Sequence, residues 1–499
     1  MLGLKPKLLQ FLQPHQISDR ELDRLSYARD CNISSLIKMR DFVVEKKPTL
    51  ILWPENTEQL SQILKVLNEA EISSIPFGAG SGVCGGTLFL KEGVCIDLKR
   101  FQKIISIDPE NLEARVQTGI LGEILERELQ DRGFTLGHFP SSIYGSTLGG
   151  YLACRSAGQL STKYGKIEDR VEALELCLAD GQIFQIGNDQ PLDLKELFLG
   201  SEGMLGLMTE ATLRIAPKPE AQAFRAFSFS NIYEGMAAVR HFMQAGFRPA
   251  VVRLYDPLDS WIFFKKGKGK NTKSQASSLH PVLELIKKKT HQTLFSYPQA
   301  LNRILDWSLH RVLLILGFEG ASWRVELENE EVKKICLKGG GKDLGEEPGW
   351  RWLKKRYSVS YKMSPLIYQG CFADTFEVAA PWSKIETLYH EMRKALAPYA
   401  LVMAHLSHFY SDGACIYFTF AGRAEDMNAS LALHHQVWAQ ALKTCHQCGA
   451  TVSHHHGVGM LKAEGFVQEM GTLMNYLRAS KAFFDPKNLL NPGKLGLPL

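Results

Sequence analysis

The spacing of apolar residues changes period several times along the chain, and each change predicts an element. Residues 1–48 read as a polar, helical N-terminal extension. The first apolar run, Thr49-Leu50-Ile51-Leu52-Trp53-Pro54, predicts a short strand. Asn56 and Gln59 form a capping pair. Leu60, Ile63, Leu64 and Leu67 follow at helical spacing, so one helix face is buried. A second strand, Ser74-Ile75-Pro76-Phe77, runs into a glycine-rich loop, and Val94, Ile96 and Leu98 alternate as in a third strand. Mixed patterns continue to Pro217-Lys218-Pro219, a break that reads as a domain boundary. The fold class expected is α+β, with a first domain over 49–218, a second over 219–440 and a C-terminal segment over 441–499.

Composition adds limits. The chain has 499 residues, 45% hydrophobic and 22% charged, too long for one core. A net charge of +5 is too mild to point to nucleic acid. No apolar run is long enough to cross a bilayer, and the N-terminus lacks a signal-peptide pattern. The ten cysteines are scattered, as reduced thiols in a cytoplasmic protein would be. Lysines crowd residues 265–290. They read as a solvated surface loop, or as a lid or peripheral membrane contact drawn to anionic head groups.

Three glycine loops carry the first chemical signal. Gly78-Ala79-Gly80-Ser81-Gly82-Val83 follows Pro76, lacks the third glycine of the Rossmann fingerprint and opens no helix. Successive glycines still let backbone N–H groups converge on an anion. The second region runs from Ser141 and Ser142 through Ser146, Thr147, Gly149 and Gly150 to Cys154, Arg155 and Ser156. Its small residues and hydroxyls suit a flat ring laid on main chain. The third is Gly200-Ser201-Glu202-Gly203-Met204-Leu205-Gly206. Far downstream stands Ser453-His454-His455-His456-Gly457-Val458-Gly459. Three adjacent histidines titrate near neutral pH, and the closing Gly-x-Gly implies bare backbone brought close to a bound cofactor.

This order of loops resembles the vanillyl-alcohol oxidase superfamily, with its PCMH-type FAD-binding domain in two subdomains and an α+β cap domain. The resemblance implies FAD. Its cradle would be Pro76, Gly78 to Val83, Ser141, Ser142, Ser146, Thr147, Gly149, Gly150, Cys154, Arg155, Ser156, Glu202, Gly203, Leu205 and Gly206. The first loop has no histidine to tether the flavin, so binding is expected to be non-covalent. Phe484-Asp485-Pro486 to Asn491-Pro492-Gly493 resembles the tail of D-lactate dehydrogenase and glycolate oxidase relatives, which implies that Asn491 returns to the flavin.

Within that superfamily the later motifs are similar to alkyldihydroxyacetonephosphate synthases. The likeness implies exchange of the acyl group of acyl-dihydroxyacetone phosphate for a fatty alcohol, without net oxidation, in ether-lipid synthesis. It implies Tyr417 as general base and His454, His455 and His456 as polarising and relaying groups. It implies Arg253 as a substrate clamp; His405 and His408 read as loop histidines near the substrate pocket. A tyrosine base with a free pKa of about 10 would need nearby cations to lower it. Lys362 stands where the synthases carry a phosphate-binding arginine, and lacks the planar fork. The alternative reaction is oxidation of a 2-hydroxy acid of the D-lactate or glycolate type. A homodimer and a small-molecule or lipid substrate are expected partners. Without the resemblance, Tyr417 reads as an inward strand tyrosine and Arg253 as a surface ion pair. His405-x-x-His408 and Cys445-x-x-Cys448 lack a second pair at zinc spacing, so no metal is expected.

Overall fold

The computed structural model describes residues 3–187, 193–265, 297–358, 367 and 371–499. Lys362 and all of the lysine-rich stretch beyond Lys265 lie outside them. The chain divides into two compact units, Met1–Lys218 with Val452–Leu499, and Pro219–Thr451.

Among the described residues the first unit holds two larger sheets and a two-stranded pair, Phe134–Thr135 with Ala216–Pro217. In the smaller of the two sheets, Leu50–Leu52, Val94–Asp97 and Ser74–Phe77 lie side by side in parallel, with Ile17–Ser18 antiparallel on the outer edge. Helix Thr57–Glu69 covers it as the periodicity predicts: Leu60, Ile63, Leu64 and Leu67 are buried and share a core with Leu52, Val94 and Ile96. The Asn56 side chain accepts the Gln59 N–H at 2.8 Å. Gln59 Oε1 accepts the N–H of Glu55 rather than of Asn56. The C-terminal tail extends this sheet: the Ser74 N–H donates to Leu489 O at 2.7 Å, and the Asn491 N–H to Ser74 O at 2.8 Å. The larger sheet is antiparallel, ordered Ile104–Asp108, Glu113–Gln117, Leu207–Arg214, Val171–Cys177, Ile183–Ile186. The N-terminal 48 residues carry three short helices, Leu4–Leu8, Glu21–Ser26 and Ile33–Arg40.

The second unit is built on one seven-stranded sheet, ordered Lys342–Gly345, Ala221–Phe229, Val312–Gly320, Val251–Tyr255, Leu401–Phe409, Gly413–Arg423, Cys371–Pro381. Every adjacent pair is antiparallel. In its third strand the run from Val312 to Phe318 is buried. A boundary at 440 falls inside helix Met427–Gln447, which packs on helix Trp382–Leu396. The chain leaves this unit only after Thr451.

Candidate functional site

In the first unit the three glycine loops touch one another. A Cβ on Gly78 would stand 2.4 Å from Thr147 Oγ1, and one on Gly203 2.4 Å from Pro76 Cγ. Gly80 has φ +66°, a conformation that side chains resist. Among the described residues, the N–H groups of Ala79 to Val83 donate to no protein acceptor. Five consecutive donors without a protein acceptor are available to anionic oxygens, the chemistry a dinucleotide's pyrophosphate presents. A cavity of about 240 Å³ opens beside the loop, lined by Ser26, Tyr27, Arg29, Phe77, Ala79, Gly80 and Lys99. The N-terminal segment therefore belongs to the site wall, a role its polar sequence did not reveal. Cys31 and Asn32 pin it there, through an N–H to Gly82 O at 2.8 Å and a side-chain amide to Val83 O at 3.2 Å. Lys99 donates to Gly78 O at 2.8 Å and to Asp97 at 2.6 Å.

Several side chains of the second region are engaged by protein. Thr147 Oγ1 caps helix Leu148–Cys154. Ser146 Oγ donates to Ser142 O at 2.7 Å, and Ser141 Oγ accepts from Gln159 at 3.0 Å. Gly149 and Gly150 open the helix, where a Cβ on Gly149 would come within 3.1 Å of Thr118. Ser156 Oγ pairs with buried His138 at 2.7 Å. Arg155 sits at φ +50° and sends its guanidinium to the Leu199 and Glu196 carbonyls, bracing the third loop. In that third loop Met204 is fully buried with Val458, Met474, Leu495 and Leu497, so position 204 serves the core. Leu205 is buried too, and a Cβ on Gly206 would strike Leu176 at 2.7 Å. Asn491, at φ +40°, donates to Gly86 O at 3.0 Å and Glu202 O at 2.7 Å. Its Oδ1 is buried without a donor among the described residues.

The histidine run also belongs to the first unit. His454 and His455 bring their Nδ1 atoms to 3.0 Å, so one proton must lie between two nitrogens. The ring of His456 packs edge-on against His455 at 4.4 Å. The two glycines that close the run meet protein: a Cβ on Gly457 would stand 2.7 Å from Glu202 Oε1, and one on Gly459 2.1 Å from Cys84 O. The close approach read from Gly-x-Gly is real, and within the protein its partners are Glu202 and Cys84.

In the second unit the register assembles a row. Tyr255 stands opposite His405, His405 opposite Tyr417, and Tyr417 opposite Glu377, across four neighbouring strands. The His405 and Tyr417 rings stack at 4.9 Å. Arg253 approaches the row from Tyr255's strand, with its Nη2 2.7 Å from His405 Nε2 and its Nε donating to Tyr255 Oη at 3.2 Å. Arginine only donates, so His405 Nε2 is the acceptor and Nδ1 carries the proton toward Asp259 Oδ2, 3.2 Å away. Burial and the Arg253 charge hold the His405 pKa low, against Asp259, and the imidazole is neutral. His408 is buried opposite Cys415, two residues before Tyr417.

The cation effect expected on Tyr417 is outweighed. Burial pushes its phenol up to about 12; the Asp374 and Glu377 charges add to this, and Thr375 and Arg253 only partly oppose it. Buried Glu377 and Tyr255, and partly buried Asp259, were given no role from sequence. Nothing local in a strand announces what stands opposite it. Cys445 is buried with its thiol 3.3 Å from Ala450 O.

Comparison with known proteins bears on both units. Residues 218–495 match the family described as FAD linked oxidases, C-terminal domain, and residues 48–187 match the FAD binding domain. The chain is 29% identical to alkyldihydroxyacetonephosphate synthase of Dictyostelium discoideum, over 98% of this chain and 80% of that protein. It is 27% identical to a glycolate oxidase subunit of Bacillus subtilis, over 99% of this chain and 96% of that one. A solved alkyldihydroxyacetonephosphate synthase superposes with a TM-score of 0.79 at 26% identity, covering 99% of this chain and 85% of that one.

Proposed function

Because the chain belongs to the FAD-linked oxidase family, we propose that it is a flavoenzyme of the alkyldihydroxyacetonephosphate synthase kind. FAD is its cofactor, and we propose that it is held without a covalent tether. The reaction proposed replaces the acyl group of acyl-dihydroxyacetone phosphate with a fatty alcohol. Bound FAD supplies an electrophilic ring, and the chain supplies everything else. The N–H groups of Ala79 to Val83 and the Lys99 ammonium hold pyrophosphate oxygens. Arg253 offers a planar fork to an anionic substrate group. Tyr417 Oη takes the proton from the carbon beside the ketone. His454 and His455, sharing one proton, pass it onward.

The observation that carries this reading is the row Tyr255–His405–Tyr417–Glu377 with Arg253 against it. Both nitrogens of His405 are engaged, by Arg253 and Asp259, and Tyr417, stacked on its ring, is the group this reading assigns as the base. A second reading, oxidation of a 2-hydroxy acid, is favoured by the likeness to the glycolate oxidase subunit over nearly its whole length. Anaerobic mixing with D-lactate or glycolate separates the two. Bleaching of the flavin near 450 nm would remove the synthase reading, and exchange of labelled fatty alcohol into acyl-dihydroxyacetone phosphate would remove the other. The proposal also includes a cytoplasmic, membrane-peripheral homodimer. Among the described residues no helix is long and apolar enough to cross a membrane.

A further inference from the structure

Two other segments of the first unit meet the carboxylate of Glu202, and a third meets its backbone carbonyl. Its residue is buried and sits at φ +51° in the third glycine loop. Oε1 accepts the N–H of Val458 at 2.6 Å and of Gly459 at 2.9 Å, while Oε2 accepts that of Gly459 at 3.0 Å. These are the residues directly after the histidine run and its Gly457. Oε2 also faces Gly86, where a Cβ would stand only 3.2 Å away. The Glu202 carbonyl accepts from Asn491 of the C-terminal tail at 2.7 Å. The turn is held from its other side as well: Met460 and Leu461 donate to Cys84 O at 2.9 and 3.1 Å, and Leu495 N–H to Gly459 O at 3.2 Å.

Two successive N–H groups aimed at one carboxylate make an anion nest, here filled by the protein's own side chain. A carboxylate accepts at both oxygens and donates at neither, so it suits this task better than an amide. We propose that Glu202 is a positioning residue for the histidine turn: it fixes the backbone at Val458 and Gly459 and thereby aims His454 to His456. The inference rests on the reading that those histidines take part in the reaction, and it assigns the Glu202 side chain to them rather than to the flavin.

Glu202→Gln, made in the flavin-loaded full chain, separates the possibilities. It keeps the size of the side chain but places an amide N–H₂ against a backbone N–H. Flavin content and KM should stay within about threefold of the parent, while kcat falls about 30-fold or more. A second readout needs no substrate. Carbethoxylation by diethyl pyrocarbonate, located by mass spectrometry, should speed up about fivefold or more at His454 to His456, because the loosened turn opens locally. Exposed His446 lies in the same tryptic peptide, between Lys443 and Lys462, and serves as the internal reference. Faster labelling supports the proposal even in a protein that shows no alkyl exchange, so failure of the synthase reading stays distinguishable. Unchanged labelling overturns the proposal, whatever the activity. Loss of flavin in step with activity overturns it too, by returning Glu202 to the cofactor cradle. Should Glu202→Gln not fold, Glu202→Asp keeps the charge on a shorter stem. It should give intermediate labelling, and labelling equal to the parent's would overturn the proposal.

Discussion

In the first unit, glycines at 78, 203, 457 and 459 press backbone to within van der Waals contact of its neighbours. In the second, Tyr255, His405, Tyr417 and Glu377 stand in one row across four strands. One region builds its site from main chain, the other from side chains on a rigid sheet. Main-chain donors suit a ligand that must be held in one place, because they have no rotamers to choose. Side chains on a sheet suit proton transfer, because burial and neighbouring charge set their acidity. Breaking each region should therefore fail in a different way.

The largest effect is expected at Tyr417. Tyr417→Phe removes the phenol and keeps the stack on His405. Turnover should fall about 10³-fold or more, with flavin content unchanged. The parent enzyme carries the pH signature. With the phenol held at about 12, its phenolate fraction, and so the rate, should climb with pH through the neutral and mildly alkaline range. A flat rate between pH 7 and 10, or a Phe variant at full speed, would remove Tyr417 from the role of base.

Gly459→Ala tests the main-chain side. At φ +55°, with a Cβ arriving 2.1 Å from Cys84 O, an alanine cannot be seated without moving one of the two segments. Stability of the first unit should drop by about 3 kcal/mol, with loss of flavin before loss of the second unit's fold. An alanine variant that unfolds and binds flavin like the parent would show that this contact is slack.

This asymmetry also explains what could be read from sequence. A glycine demanded by a close approach leaves its mark at its own position, so the three loops and the closing Gly457 and Gly459 were visible at once. Helix Thr57–Glu69 was equally plain, because its apolar period is local. The row was not visible as a row: Tyr255, His405, Tyr417 and Glu377 come from four strands, and only the register makes them neighbours. Tyr417 and Arg253 were picked out by family likeness; His405 and His408 were read as loop histidines and stand instead on strand Leu401–Phe409, and Glu377 and Asp259 were given no role. The protein partner of Gly-x-Gly was hidden for a related reason, since Glu202 lies more than 250 residues before it in the chain. Tyr27 and Arg29 sit in a polar stretch with no motif, so nothing marked the N-terminal segment as a wall of the site.

Acid should separate the two units next. His138 is buried in the first, and burial, then the Arg170 charge, hold its pKa at about 3. Unfolded, it titrates at the ordinary value of 6.5. Below that pH the unfolded chain takes up a proton that the folded one refuses, so stability falls as pH falls from 6.5 toward 3. At pH 5 the loss is about 2 kcal/mol, at about 1.4 kcal/mol per pH unit. His405 in the second unit is also held neutral, but Asp259 opposes the shift. Asp30 in the same unit is pushed up to about 7 by burial and takes up its proton in the folded state first, which opposes this loss. The His138 contribution is therefore read as a difference: urea unfolding followed by hydrogen exchange should show His138→Gln losing less stability than the parent between pH 7 and pH 5, and equal slopes would place the acid sensitivity elsewhere.

The smallest effect sharpens the contrast from outside both sites. Asn56 Oδ1 accepts the Gln59 N–H at 2.8 Å and so satisfies one of the donors left over at the start of helix Thr57–Glu69. That helix buries Leu60, Ile63, Leu64 and Leu67 against the sheet whose edge strand, Ser74–Phe77, delivers the first glycine loop. Asn56→Ala leaves the N–H without its cap and should cost about 1 kcal/mol, whereas Asn56→Asp should cost little, because aspartate caps as well and adds favourable charge at the helix start. Gln59 retains its own bonds from the Glu55 N–H and Gln16 in both variants, so the loss stays local to the cap. Thermal unfolding should drop by a few degrees for alanine only, with flavin affinity the same in parent and both variants. A flavin affinity that falls with the cap would mean that the cradle depends on the stability of the sheet beneath it, and the division between main-chain and side-chain sites would have to be redrawn as one between a soft unit and a stiff one.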